Sequence, residues 1–97
     1  MGWQVIFSQR SRRDLQQIVE TIARDDPPAA ERFGFALISQ AEFLARAPEM
    51  GVPLTERPGT RFFPFGSYLI IYRAETSRNT VRILRFWHGA RGKRPLR

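Results

Sequence analysis

Six side chains in the C-terminal half of this sequence have the types that phosphate chemistry uses: Arg61, Arg73, Arg82, Arg85, His88 and Arg91. Cleaving RNA without a metal needs a base for the 2′-hydroxyl, an acid for the leaving oxygen and cations around the phosphate. Arginine suits the last role because its planar fork matches phosphate geometry. His88 is the only histidine, and histidine alone titrates near neutrality without a shift. A nuclease site would therefore combine His88 with Arg61 and Arg85; no second acid is evident. The same cations, with Tyr72 and Trp87 among them, also describe a binding surface, because aromatics interleaved with arginines stack bases and hold phosphates.

A plainer reading stands beside each. A lone histidine next to glycine at a strand end is more often a hydrogen-bonded turn residue. Phe86, on a strand of a small domain, reads as core, while Trp87 fits either role. Strand parity also constrains the site. If residues 80–88 form a regular strand, Arg85 and Trp87 share one face and Phe86 and His88 the other. Arg85 and His88 then meet only through a bulge or a bend at Gly89.

The distribution of charge says more than the net +7. Residues 1–50 carry six basic and seven acidic side chains, whereas residues 51–97 carry ten basic against Glu56 and Glu75 alone. This asymmetry points to an anionic partner for the C-terminal half, either nucleic acid or an acidic protein segment. An arginine-rich, merely soluble surface is the bland alternative. The chain has no cysteine, so disulfides and thiol chemistry are excluded and a cytoplasmic location is expected. One histidine and no cysteine leave no zinc site, and no cofactor is expected. No apolar run spans a membrane, and Met1-Gly2-Trp3-Gln4 leads directly into a strand pattern, so no signal peptide is expected.

At 97 residues the chain is expected to form one domain, residues 1–97. Trp3, Val5 and Phe7 alternate with polar residues, as in a half-buried strand. Ser8 or Ser11 caps a first helix running to about Arg24, and Ser11-x-x-Asp14 has the form of a capping box. Leu15, Ile18, Val19 and Ile22 make its apolar stripe. Asp26-Pro27 starts a second helix. There Ala30, Phe33, Leu37, Ala41 and Leu44 repeat every three or four residues, with Phe35, Ile38 and Phe43 widening the stripe. Residues 48–59 read as a loop. Thr60–Phe63 is a short strand, Pro64-Phe65-Gly66 a turn, residues 67–73 a central strand, 75–79 a polar turn and 80–87 the last strand. The tail, residues 92–97, is expected to be loose. The fold class is α+β, in the order β-α-α-β-β-β: an antiparallel sheet with an N-terminal helical hairpin on one face.

That order, and the residues along it, resemble the RelE/ParE toxin superfamily of type II toxin–antitoxin systems. The matches are Arg13-Asp14-Leu15-x-x-Ile18, Asp26-Pro27-x-Ala29-Ala30-x-x-Phe33 and Leu44-x-x-x-Pro48-x-x-Gly51. They continue through Arg61-Phe62-x-x-x-Gly66-x-Tyr68-x-Ile70-x-Tyr72-Arg73 to Ile83-Leu84-Arg85-x-x-His88-Gly89-Ala90-Arg91. The resemblance implies a small cytoplasmic toxin held in a hetero-oligomer by a cognate ParD-like antitoxin. The chain has no lysine before Lys93 and no tyrosine after Tyr72. With the His-Gly-Ala-Arg ending, this resembles the ParE branch, which implies inhibition of DNA gyrase by contact. The alternative is a RelE-like, ribosome-dependent, metal-independent mRNA interferase using Arg61, Arg85 and His88. For either target the binding residues implied are Arg61, Tyr72, Arg73, Arg82, Arg85, Trp87, His88 and Arg91.

Overall fold

The computed structural model describes residues 3–91 of the chain. Strand β1 (Gln4–Phe7) leads into helices α1 (Gln9–Ala23) and α2 (Pro27–Leu44). Strands β2 (Val52–Pro53), β3 (Thr60–Phe65), β4 (Tyr68–Glu75) and β5 (Thr80–His88) follow, and a 3-10 turn at Gly89–Arg91 closes the described chain. The expected loose tail at residues 92–97 lies outside the described residues.

Both helices begin where side-chain oxygens satisfy their first free N–H groups. The Ser8 hydroxyl accepts from the Ser11 amide at 3.0 Å, and the Asp26 carboxylate accepts from the Ala29 amide at 3.1 Å. The cap of α1 is therefore Ser8. The expected capping box does not form, because the Ser11 hydroxyl turns back to donate to the Ser8 carbonyl at 2.8 Å. Asp14 is then free for a partner on the sheet.

The helices pack as an antiparallel hairpin through small residues. Gly34 is buried, and a Cβ there would sit 3.1 Å from Val19 Cγ2. Ala30 and Ala41 are buried as well. The apolar stripes of both helices close over the sheet: Ile18, Leu37, Ala41 and Leu44 meet Ile70, Tyr72, Val81, Ile83 and Phe86 in one core. Phe35 and Phe43 do not join it. They are 65% and 45% exposed, because at about 100° per residue they fall outside the arc that runs through positions 30, 34, 37, 41 and 44.

The sheet has five strands in the order β1-β5-β4-β3-β2. As expected, β4 is central, and its Ile70, Ile71 and Tyr72 are all buried. Two features depart from the expected antiparallel arrangement. First, β1 joins β5 in parallel, Gln4 opposite Thr80 and Phe7 opposite Ile83. A parallel pair needs a long crossover, and both helices and three strands intervene here. Second, the loop at residues 48–59 contributes an edge strand, Val52–Pro53, opposite Phe62 and Arg61. Its proline blunts the open edge. The expected turn at Pro64 lies later, since β3 continues to Phe65, which pairs with Tyr68. Gly66, at φ +59°, supplies the left-handed residue of the two-residue connection.

Candidate functional site

The ladder between β4 and β5 fixes where the candidate residues point. His88 lies opposite Tyr68, Trp87 opposite Leu69, Phe86 opposite Ile70 and Arg85 opposite Ile71, whereas Ile83 lies opposite Tyr72. Leu84 is thus an extra residue, and β5 bulges beside it. Phe86 and Tyr72 belong to the core beneath the helices, so His88 and Arg61, which pairs with Tyr72, take the helix face. By alternation Arg73, Arg82, Arg85 and Trp87 take the opposite face. Arg61 and His88 are separated along β4 by the interval from Tyr72 to Tyr68, about 13 Å. The trio Arg61, Arg85 and His88 is therefore not brought together around one point: Arg61 stands well along the sheet from His88, and Arg85, whose strand position belongs to the other face, has its guanidinium bound to Asp14 of α1.

Each of these residues has local work. His88 Nδ1 accepts from the Ala90 amide at 3.1 Å, and its ring meets Tyr68 edge-on with centroids 4.9 Å apart. In the neutral ring, a nitrogen that accepts an N–H bond leaves the proton on the other nitrogen. The one basic nitrogen of His88 is therefore already occupied. Arg61 Nη1 donates to the carbonyls of Gly51 at 2.7 Å and Glu49 at 3.3 Å. Tyr72 anchors the same loop: its hydroxyl donates to the Pro48 carbonyl at 2.7 Å and accepts from the Gly51 amide at 2.9 Å. Burial pushes the Tyr72 phenol upward, a shift that the Gly51 bond and the Arg61 charge partly oppose. Arg73 donates to the Pro58 carbonyl at 3.0 Å. Arg91 ends the final turn.

Two arginines of β5 pair with acids. Arg82 lies 3.6 Å from Glu75 in a partly exposed pair. Arg85 is gripped more firmly. Its Nε donates to Asp14 Oδ2 at 2.7 Å and its Nη2 to Oδ1 at 3.1 Å. The Phe86 amide donates to the same Asp14 Oδ2 at 3.0 Å. The Arg85 guanidinium carbon also sits 5.0 Å from the centre of the Trp87 ring. This corrects the expectation that the arginines of the last strand face outward toward an anion: Arg82 and Arg85 are bound within the fold. The residue the sequence reading missed is Asp14. It stood in the sequence as the acid of the Ser11-x-x-Asp14 pattern and of the Arg13-Asp14-Leu15 match, neither of which points to Arg85.

Asp14 matters because β1 covers β5 only as far as Ile83. Beyond that point α1 takes over the edge of the strand. The Ser8 hydroxyl donates to the Leu84 carbonyl at 3.0 Å, and Asp14 receives Phe86. Between α1 and this stretch of β5 runs a trough made of two adjoining cavities. One, of about 550 Å³, is lined by Arg10, Arg13, Asp14, Gln17 and Arg85 among others. The other, of about 430 Å³, continues past Gln17, Thr21 and Arg24 to Tyr68, Phe86 and His88. Two smaller apolar grooves lie on the helices, around Phe7, Leu15 and Ile38 and around Ile22, Phe33 and Ala36. No helix is long and apolar enough to cross a membrane, and no cluster of three potential metal ligands occurs, both among the described residues.

Comparison with known proteins gives this arrangement a context. Residues 5–92 match the family model described as the ParE toxin of the type II toxin–antitoxin system parDE. A relative named Toxin RelE1, from Caulobacter vibrioides, is 29% identical over 89 residues, covering 92% of this chain and 96% of that protein. Among solved structures, the toxin–antitoxin complex RelBE2 from Mycobacterium tuberculosis contains a similar chain. It is 33% identical, with a TM-score of 0.70, covering 91% of this chain and 99% of that one. A chain from the chromosomal ParDE system of P. aeruginosa shares the fold with a TM-score of 0.76 at 18% identity, covering 89% and 95%.

Proposed function

We infer the activity of this chain from its membership: it belongs to the ParE toxin family, and it is a type II toxin of the RelE/ParE superfamily. We propose that it acts in the cytoplasm as a ParE-like toxin, inhibiting DNA gyrase by contact, and that a cognate ParD-like antitoxin neutralises it by direct binding. The observation that carries the choice of a binding toxin over a nuclease is the dispersal of Arg61, Arg85 and His88. General acid–base cleavage needs its groups within hydrogen-bond reach of one phosphate; here Arg61 and His88 stand about 13 Å apart along β4, and Arg85 is bound to Asp14. The apolar grooves on the helical hairpin and the exposed Phe35 and Phe43 suit burial against an antitoxin's apolar side chains.

The test is a supercoiling assay in which gyrase is titrated with the purified chain, in parallel with primer extension on translated mRNA. The proposal expects lost supercoiling or trapped cleaved DNA, restored activity on adding the antitoxin, and intact mRNA. Cuts within codons that vanish in His88→Ala, with gyrase unaffected, would replace it with the mRNA interferase reading, the activity suggested by the RelE names of two relatives.

A further inference from the structure

The turn that follows β5, Gly89–Arg91, is fastened to the strands by one contact that ignores protons and one that does not. The Gly89 amide donates to the Ser67 carbonyl at 2.8 Å. The chain passes so close to the β3–β4 connection there that a Cβ on Gly89 would lie 3.3 Å from the same oxygen. Neither peptide group titrates. The second contact runs from the Ala90 amide to His88 Nδ1 at 3.1 Å. It needs a lone pair on that nitrogen, and in a protonated histidine both ring nitrogens are donors. The ring itself is packed: it is half-buried and lies edge-on to Tyr68, which Phe33 of α2 backs with ring centroids 5.6 Å apart. Gly89 and Ala90 are exposed, and glycine adopts new backbone angles at little cost. When the lone pair is lost, the turn yields rather than the ring.

We propose that His88 is a proton-operated latch on this turn: the neutral imidazole pins Ala90, and the imidazolium releases it. Histidine side chains change charge at about pH 6.5 in water. The released turn leaves Nδ1 free to take the proton, whereas the pinned turn must first give up its bond. Release is therefore favoured as pH falls through that range, and pinning as it rises. The charged groups that line one cavity with the imidazole are Asp14, Glu20 and Arg24 of α1. Asp14 is engaged by Arg85 and the Phe86 amide, and Glu20 accepts from Gln16 at 3.1 Å, so no ion pair is in place to offset the lost Ala90 bond. From β4 the facing titratable group is Tyr68, and Arg91 is the charged residue of the turn itself. The next charged residues in sequence are Lys93, Arg94 and Arg97, so the latch decides whether this basic stretch starts from a pinned turn. The switch goes beyond gyrase inhibition and antitoxin binding, and it stands or falls separately from them.

The test is nuclear magnetic resonance on the nitrogen-labelled full chain between about pH 8 and about pH 5, which brackets the histidine range. The ring nitrogens of His88 report protonation. The coupling across the hydrogen bond from the Ala90 nitrogen to Nδ1, and Ala90 amide exchange corrected for its intrinsic pH dependence, report the bond. The coupling should fade with the midpoint of the ring titration. Ala90 protection should fall about three- to tenfold, the worth of one neutral hydrogen bond, while the Phe86 amide on Asp14 keeps its protection. In His88→Asn the side-chain oxygen accepts in place of Nδ1 and takes no proton, so Ala90 should stay protected throughout. In His88→Ala it should be unprotected at every pH. A coupling that persists once the ring is protonated would overturn the proposal, as would different midpoints for Ala90 and the ring. So would the same pH response in His88→Asn, which would assign it to carboxylates, or a loss of protection at Ile70 and Phe86 alongside Ala90, which would be general unfolding. The titration of the unaltered chain decides the matter even if a variant fails to fold.

Discussion

Replacing Asp14 with asparagine isolates the contact that joins α1 to the last strand. The carboxylate accepts three hydrogen bonds, two from Arg85 and one from the Phe86 amide. The Arg85 and Asp14 side chains are 12% and 10% exposed, so water replaces little of what is lost. Breaking a buried pair from one side costs about 3–5 kcal/mol, because the remaining charge stays desolvated. Asparagine keeps the shape and one acceptor oxygen, which brings the expected loss to about 2–4 kcal/mol. With a urea slope on the order of 1–2 kcal/mol per molar for a chain of this size, the unfolding midpoint should fall by about 1–4 M. Glu75→Gln is the internal control. It breaks the looser, more exposed pair with Arg82 and should cost less than about 1 kcal/mol. Asp14→Asn/Arg85→Met removes both charges and should recover much of the loss. If Asp14→Asn and Glu75→Gln cost the same, or if the double variant is as unstable as the single, the buried ion pair is not what secures this edge.

Two further predictions concern the loop at residues 48–51. Gly51→Ala would place a methyl group 2.6 Å from the Tyr72 hydroxyl and 2.8 Å from the Phe62 carbonyl; thermal unfolding should report a loss of about 1–3 kcal/mol. The Tyr72 phenol titrates above its ordinary value of 10.0 because burial disfavours the phenolate. Below about pH 10 the group is neutral in both states. Above that the unfolded chain ionises first, so stability falls as pH rises toward the folded value. Tyr72→Phe should be less stable at neutral pH, by about 1–3 kcal/mol for the two partners it strands, and should lose this alkaline decline in urea titrations across pH 9–11.

The helices and the central strand were legible because their signals are local. The stripe of Leu15, Ile18 and Ile22, the Asp26-Pro27 start and the apolar run of β4 each follow from neighbours a few residues away. The parity of β5 was legible too, since Arg85 and Trp87 do share a face opposite His88. What escaped were relations across distance. Ser11-x-x-Asp14 satisfies the local rule for a cap, but Asp14 finds a partner 71 residues away, and no local pattern reveals that competition. The bulge at Leu84 and the parallel seating of β1 likewise depend on which strands become neighbours. The arginines misled for a related reason: composition counts charges without showing that Arg61 and Arg73 bind carbonyls and that Arg82 and Arg85 meet carboxylates.

The pairing of β1 with β5 joins positions 76 residues apart, so the sheet cannot be sealed until the final strand exists. Contacts of such separation form late, after most of the chain entropy has been surrendered. A nascent chain still lacking residues 80–88 has no partner for β1 and no Phe86 for Asp14 to hold. Closure of this sheet thus waits on the synthesis of β5, and a copy interrupted before that strand is left with an unfinished body.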